Sequence, residues 1–476
     1  ARGMATGVSV RTFNFLNDLP EMVTAITNPA FPMFLSNHSY GLPINQEGGT
    51  QLDSWMMGAY TAQARELDDV VSLNPQYLIV SSAGNAGLDS YFGGMAPGFD
   101  KLTGDKNAKN NLVVANASPT IDPFTGGVTF VINPSSSQGP TDDLRVKPDI
   151  SGDGTGVIST YPGDTYATLS GTSMSSPNVT GSLVLLQQYY NQLNGNYMLA
   201  STLKGLVCHT ATDDTNRIGP DPYFGWGLLN SKRSAEVILD ATNNSALIDE
   251  LTIDNNESYV LNFVAQSGDV VDATICWTDL KGFAATGSAD LNNSIPKLVN
   301  DLDLRISKDG VTFMPWKLDY SGSGFSNSKG DNTVDNIERV TALITESGTY
   351  TLTVTHKGQL QSIGPFDPNE QDFSLILTGN NLTLGTLEND YSNELVIYPN
   401  PSDGNFKIIG DSSSIIGEKM DVTIYDISGR LINNFTFDVV SSVISENISL
   451  NEASAGLYLL KISNGNFTAS YKIVVE

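Results

Sequence analysis

The sequence predicts a three-part chain: an α/β domain built on a mainly parallel sheet, an all-β domain of the jelly-roll or barrel class, and a small C-terminal β-sandwich. Three observations carry this. Short apolar runs alternate with helical stretches over residues 1–240. Residues 247–379 hold only short alternating segments bounded by turn residues. A polar stretch, "NNLTLGTLENDYSN" at 380–393, reads as a linker before a last block of strand-like segments at 394–476.

Each part follows from its pattern. In the first, "YLIVSSAGN" at 77–85 reads as a buried strand entering a glycine-rich loop, and "NNLVVANAS" at 110–118 as another. "LDSWMMGAYTAQARELDDVVSLN" at 52–74 and "GSLVLLQQYYNQL" at 181–193 read as helices. The second part offers "YVLNFVAQ", "VVDATICWTD", "DLDLRIS", "RVTALI", "GTYTLTVTHKG" and "DFSLILTG" as strands. The third offers "ELVIYPNPSDGNFKI", "MDVTIYDISGRLI", "AGLYLLKISNGNF" and "ASYKIVVE".

Composition excludes several classes. With 25 basic against 52 acidic residues the net charge is −27, which repels nucleic acid and anionic membranes, so neither is expected as a partner. Such a surface suits a secreted protein and can attract divalent cations. Cys208 and Cys276 give neither a zinc spacing nor a disulfide framework and read as core. No apolar run approaches the ~20 residues of a membrane span. The opening "ARGMATG" has no initiator Met and no apolar leader, so a fragment or processed chain is expected.

The chemistry centres on "SGTSMSSPNVTG" at 170–181. Ser173 falls at the start of a helix, where free N–H groups and the dipole favour negative charge. A hydroxyl there can attack a carbonyl while its own N–H faces the developing oxyanion. Gly171 would let substrate backbone approach, and Pro177 suits a first helical turn. A plain Ser/Thr helix cap is the alternative for these residue types.

The full spelling resembles the nucleophile motif of the subtilisin-like serine proteases, the subtilases of peptidase family S8, with Ser175 where that family usually has Ala. The resemblance implies that Ser173 is the nucleophile. "SSAGNAG" resembles the family's oxyanion segment and makes Asn85 the side-chain amide donor. "SNHSYG" at 36–41 is similar to the strand that pairs with peptide substrate. By that likeness Ser39, Tyr40 and Gly41, with Ser82, Ala83 and Gly84, flank the first specificity pocket for protein or peptide substrates. "SSQGPTDDLRVKPD" at 136–149 and "FGWGLLN" at 224–230 resemble further family segments, while "SGDG" at 151–154 departs from the usual "APG".

A triad serine needs a histidine base oriented by a carboxylate. The only histidines are His38, His209 and His356, and the family string "HGTHVAG" does not occur. An Asp18–His38–Ser173 triad is set aside, because His38 lies inside the substrate-strand match and "NDLP" does not resemble the family's Asp motif. "ARGMATGVSVRTFNF" resembles the family segment just after the catalytic His. The expectation is that the Asp and His lie upstream and that the 476 residues alone are nearly inactive.

The middle domain, through "CWTDL", "LVNDLDLRI", "DNIERV" and "SGTYTLTV", resembles the β-barrel domain of alkaline, oxidation-tolerant subtilases. Its Asn300, Asp301, Asp303, Asp331 and Glu338 offer hard oxygens to a structural calcium, against the alternative of a solvated acidic loop. The last domain, through "VIYPNPSDGNFKI", "VTIYDISGRLI" and "SAGLYLLKISNG", resembles the C-terminal sorting domain of type IX secretion in Bacteroidetes, against an accessory sandwich or carbohydrate-binding module. That makes the type IX machinery a partner and the destination outside the cell or on its surface. Together these imply a secreted serine endopeptidase. The rival is an inactive surface adhesion or binding protein on a protease fold.

Overall fold

The structure, a computed structural model, describes residues 3–14, 18–28, 33–46, 48–255, 257–364, 367–384, 395–411, 419–426, 430–439, 443–450, 454–464 and 467–475. Two compact units form, Ala1–Leu384 and Gly385–Glu476.

The first unit opens with α1 (Asp18–Ile26), β1 (Leu35–His38), α2 (Ala62–Ser72), β2 (Leu78–Ser82), β3 (Leu112–Ile121), β4 (Val128–Ile132) and β5 (Ile150–Asp153). A hairpin of β6 (Val157–Tyr161) and β7 (Thr165–Leu169) follows, then α3 (Thr172–Asn194), α4 (Ala200–His209) and α5 (Ser231–Thr242). Strands β1, β2, β3 and β5 are parallel, and the outer half of β3 turns back with β4 as an antiparallel arm. All of β2 is buried, and its period of two divides the side chains. Leu78 and Val80 join Val179, Leu183 and Leu186 of α3, while Ile79 joins Ala64, Leu67 and Val71 of α2 on the other face. Helices on both faces explain why the strands read as continuous apolar runs.

The helix expected over 52–74 is shorter. Only Ala62–Ser72 is α-helical, after a single 3₁₀ turn at Ser54–Met56. Gly58 takes φ +71 between them, a left-handed conformation that breaks the run although the apolar pattern continues through it. The buried Asp68 of α2 accepts hydrogen bonds from Lys109 N, Asn110 N and the Tyr60 hydroxyl, tying the helix to the entry of β3.

The all-β part comprises β8 (Leu247–Asp254), β9 (Tyr259–Ala265), β10 (Val270–Trp277), β11 (Asp301–Lys308), β12 (Val311–Phe313), β13 (Trp316–Tyr320), β14 (Phe325–Lys329), β15 (Ile337–Leu343), β16 (Gly348–Lys357), β17 (Glu370–Gly379) and β18 (Thr383–Leu384). Two antiparallel sheets, ordered β15-β10-β17-β8 and β12-β11-β16-β9-β18, share one core. The strand β18 carries this part into the stretch expected to be linker; residues 385–393 of that stretch lie outside the described residues.

The α/β and all-β parts are joined by α4. Along β10, Ile275 and Trp277 point into the two-sheet core, while Cys276 points the other way into the core around Leu203, Leu206 and Val207 of α4. Ile376 of β17 does the same. A buried ion pair crosses the same boundary: Lys109 pairs with Asp279, with both side chains fully buried. Within the α/β part Asp149 takes Lys147 at 2.6 Å and Lys204 at 3.0 Å. This continuous interior makes the two parts one compact unit.

The second unit holds β19 (Leu395–Tyr398), β20 (Asn405–Asp411), β21 (Lys419–Asp426), β22 (Leu431–Asp438), β23 (Val443–Ser449), β24 (Gly456–Asn464) and β25 (Phe467–Val475). Its sheets are ordered β19-β20-β23 and β22-β21-β24-β25, around a core that includes Phe406, Ile408, Val422, Ile424, Leu460, Ile462 and Ile473. No described helix is long and apolar enough to cross a membrane.

Candidate active site

The carboxyl ends of β1 and β2 open beside the N-terminus of α3, where first-turn N–H groups have no intrahelical acceptor. Ser173 sits in that turn and is half-buried. Its hydroxyl donates to the Ser39 carbonyl at 3.2 Å, and the Ser39 hydroxyl donates to the Ser173 carbonyl at 3.1 Å. The second bond has a cause in the sequence. A helical residue 177 would donate its N–H to the carbonyl of residue 173, but Pro177 has none. Pro177 therefore lies in the second turn of α3 rather than the expected first, and Ser39 supplies the missing donor.

Asn85 is fixed by Thr172. Its Oδ1 accepts the Thr172 N–H at 3.0 Å and the Thr172 hydroxyl at 3.1 Å, and Thr172 Oγ1 in turn accepts from Gly84 N at 3.1 Å. Because a backbone N–H can only donate, the accepting end of the amide is oxygen, and Nδ2 is left as the outward donor on an exposed side chain. A Cβ on Gly171 would come within 3.4 Å of Asn85 Oδ1. The added hydroxyl of Ser175 is satisfied by the Gly152 carbonyl at 3.1 Å.

The six expected substrate-lining residues separate by exposure. Ser82 and Ala83 are buried, Ser39, Tyr40 and Gly84 are half-buried, and Gly41 is exposed. Gly84 has φ +104 and Ser137 Oγ 2.9 Å from where a Cβ would stand, so no side chain fits there. The Tyr40 hydroxyl points away from Ser173, donating to Asp18 Oδ2 at 2.8 Å. Sequence reading missed Lys106, whose buried ammonium donates to the Tyr40 carbonyl at 2.8 Å and pairs with Asp105 behind this strand.

No described contact joins a histidine to Ser173. His38 Nδ1 is hydrogen-bonded to Tyr40 Oη at 2.6 Å and Nε2 to Ser36 Oγ at 2.7 Å, so both ring nitrogens are committed. Burial lowers its pKa. Asp18 and His38 are therefore linked, through Tyr40, but the chain of bonds leads to Ser36. His209 is held between Thr274 Oγ1 at 2.8 Å and Thr378 Oγ1 at 2.9 Å. His356 lies on β16 opposite Leu302.

The five residues considered for calcium do not form one cage. Asn300 turns to Gln371 Oε1 at 2.9 Å and Gln361 O at 3.1 Å. Asp303 pairs with Arg305 at 2.7 Å and Lys357 at 2.8 Å; Asp331 with the same two at 2.5 and 3.1 Å; Asp301 with Lys357 at 3.2 Å. Glu338 lies beside Arg305 at 3.4 Å and accepts Leu304 N at 2.6 Å. Two basic side chains thus supply the positive charge, leaving Asp301 Oδ1 and Glu338 Oε1 as the buried oxygens of this set without a hydrogen-bond partner. Among the described residues no three or more His, Cys, Asp or Glu side chains are grouped to hold a metal. The set does not fit calcium as it stands.

Two stretches of the chain match known families. Residues 3–227 match the Subtilase family and residues 396–476 match the Secretion system C-terminal sorting domain. Subtilisin DY of Bacillus licheniformis is 39% identical over 83 residues, 17% of this chain and 27% of that protein. Bacillopeptidase F of Bacillus subtilis is 27% identical over 218 residues, 41% of this chain and 15% of that protein. C5a peptidase of Streptococcus pyogenes is 39% identical over 85 residues, 18% of this chain and 7% of that protein. The matches thus span under a third of each relative's length. The Patellamide maturation protease PatA aligns at a TM-score of 0.32 and 20% identity over 48% of this chain and 70% of that one. Residues 3–227 are a subtilase-family domain, and residues 396–476 are a secretion-system sorting domain that directs the chain to secretion or the cell surface.

Proposed function

We propose that the full-length protein is a secreted serine endopeptidase, exported by the type IX machinery, that cleaves peptide bonds through an acyl-enzyme on Ser173. The observation that carries this is the pairing of a hydroxyl at the α3 N-terminus with an amide donor locked in place by its neighbour, Thr172. Ser173 Oγ attacks the scissile carbonyl, and the oxyanion that forms is met by Asn85 Nδ2 and the Ser173 N–H. Ser39–Gly41 and Gly84 receive the substrate backbone. His38 and His209 have both ring nitrogens engaged and His356 stands in the all-β part, which supports a reading in which the proton acceptor is none of these three but another histidine oriented by a carboxylate.

The test is hydrolysis of an unstructured protein substrate by the full-length protein and by its Ser173→Ala variant. Turnover lost in the variant supports the reading. A full-length protein with no turnover and no upstream histidine would favour the inactive binding protein instead.

A further inference from the structure

Side chains alternate along β1 and the segment that continues it. Asn37 and Ser39 face α3: Asn37 Oδ1 accepts from the Ser176 hydroxyl at 2.7 Å, and Ser39 exchanges hydrogen bonds with Ser173. Ser36, His38 and Tyr40 share the opposite face, and there they form one chain of hydrogen bonds. Tyr77 Oη lies 2.6 Å from Ser36 Oγ, and Ser36 Oγ 2.7 Å from His38 Nε2. His38 Nδ1 lies 2.6 Å from Tyr40 Oη, and Tyr40 Oη 2.8 Å from Asp18 Oδ2.

The direction of every bond follows from the last member. A carboxylate has no hydrogen to give, so Tyr40 donates to Asp18 and its only hydrogen is spent. The Tyr40 oxygen then meets His38 as an acceptor, which puts a hydrogen on Nδ1. Burial lowers the His38 pKa, against the charges of Asp105 and Asp18, so the ring is neutral at about pH 7 and Nε2 is bare. Nε2 therefore accepts from Ser36, and Ser36 in turn accepts from Tyr77. Four contacts are filled by four hydrogens, with none left over. The other neutral tautomer would set a bare Nδ1 against an oxygen whose hydrogen is already used.

This face bears on the other through Tyr40, the middle residue of Ser39–Gly41. Its carbonyl is held by Lys106 at 2.8 Å and its hydroxyl by Asp18 and His38. The register of β1 with β2 ends at His38, opposite Ser81, and beyond it these bonds hold the segment from behind.

We propose that His38 is a positioning residue for substrate: fixed by Asp18, through Tyr40, as the neutral tautomer with its hydrogen on Nδ1, it holds Tyr40 and so keeps Ser39–Gly41 in place to receive the peptide. This rests on the reading of Ser39–Gly41 as the substrate-receiving strand.

Two measurements on the full-length protein test it. Nitrogen NMR of histidine-labelled protein at about pH 7, with the His38 signals identified by their loss in His38→Asn, should show a hydrogen on Nδ1 and a bare Nε2. Kinetics on an unstructured protein substrate should separate three variants. His38→Ala removes both nitrogens and should raise KM about fivefold, the worth of one neutral hydrogen bond, with kcat changed less than about twofold. His38→Asn places an amide N–H near the position of Nδ1 and should recover most of that loss. His38→Gln reaches instead toward the position of Nε2 and should not. Asn and Gln variants that behave alike would leave only a packing role and overturn the proposal. So would a hydrogen on Nε2 alone, a charged ring, or a KM indifferent to His38→Ala. A wild type without any turnover would instead fail the endopeptidase reading, and the substrate role of His38 with it.

Discussion

Asn85 Oδ1 accepts two hydrogen bonds from one residue, Thr172: the backbone N–H at 3.0 Å and the hydroxyl at 3.1 Å. The amide is thereby oriented before any substrate arrives, which is what transition-state stabilisation by a fixed dipole requires. In the full-length protein Asn85→Ala should lower kcat by about 10²–10³ with a much smaller change in KM, a magnitude taken over from the corresponding amide of a subtilisin. Steady-state kinetics on a peptide substrate checks it. Equal changes in both constants would remove the oxyanion role.

The Ser39 hydroxyl replaces a helix donor that Pro177 cannot provide. Ser39→Ala should therefore cost about 1 kcal/mol, the price of leaving a part-buried carbonyl unpaired. Pro177→Ala restores an N–H to the same carbonyl, so the double variant should lose less than the two single changes together. Denaturant unfolding of the four proteins measures this coupling; strict additivity would show that the two residues do not share the Ser173 carbonyl.

Lys109 and Asp279 join the α/β and all-β parts through a fully buried ion pair. Removing one partner strands the other, so Asp279→Ala should cost about 3–5 kcal/mol. Replacing both with apolar residues, Lys109→Met with Asp279→Leu, should recover much of that loss. Thermal unfolding distinguishes the outcomes, and a double variant as unstable as the single one would contradict the account.

His209 is neutral between two threonines, its pKa lowered to about 3 chiefly by burial, with the Arg339 charge adding to it. In the unfolded chain it titrates near about 6.5, so protonation favours unfolding. Its contribution to stability is whole above about pH 6.5 and is lost as pH falls toward 3. Wild type should lose up to about 1.4 kcal/mol per pH unit more than His209→Gln across that window. Parallel pH profiles for the two proteins would show that His209 becomes charged in the fold at little cost.

What was legible in the sequence was local. Ser173 and Asn85 lie in contiguous strings that spell a turn and a helix start, and period-two alternation marked the described strands from Tyr259–Ala265 to Glu370–Gly379. What was not legible depends on distant residues meeting. Nothing near Pro177 names Ser39 as its substitute donor. Nothing near His38 shows that Tyr40 will engage its Nδ1. The helix over 52–74 was overextended because the apolar pattern runs on through Gly58, whose positive φ is a tertiary fact. The acidic run at 300–303 invited a metal because its pairing with Arg305 of the same strand β11 and with Lys357 of the neighbouring β16, far off in sequence, appears only once the strands are paired.

The most direct test of the central claim is covalent. A fluorophosphonate probe, applied to the full-length protein and followed by peptide mapping in a mass spectrometer, should place its adduct on Ser173, with none on Ser39, Ser175 or Ser176 and none at all in Ser173→Ala. An adduct on a different serine, or equal labelling of the Ser173→Ala variant, would contradict the assignment of Ser173 as the nucleophile.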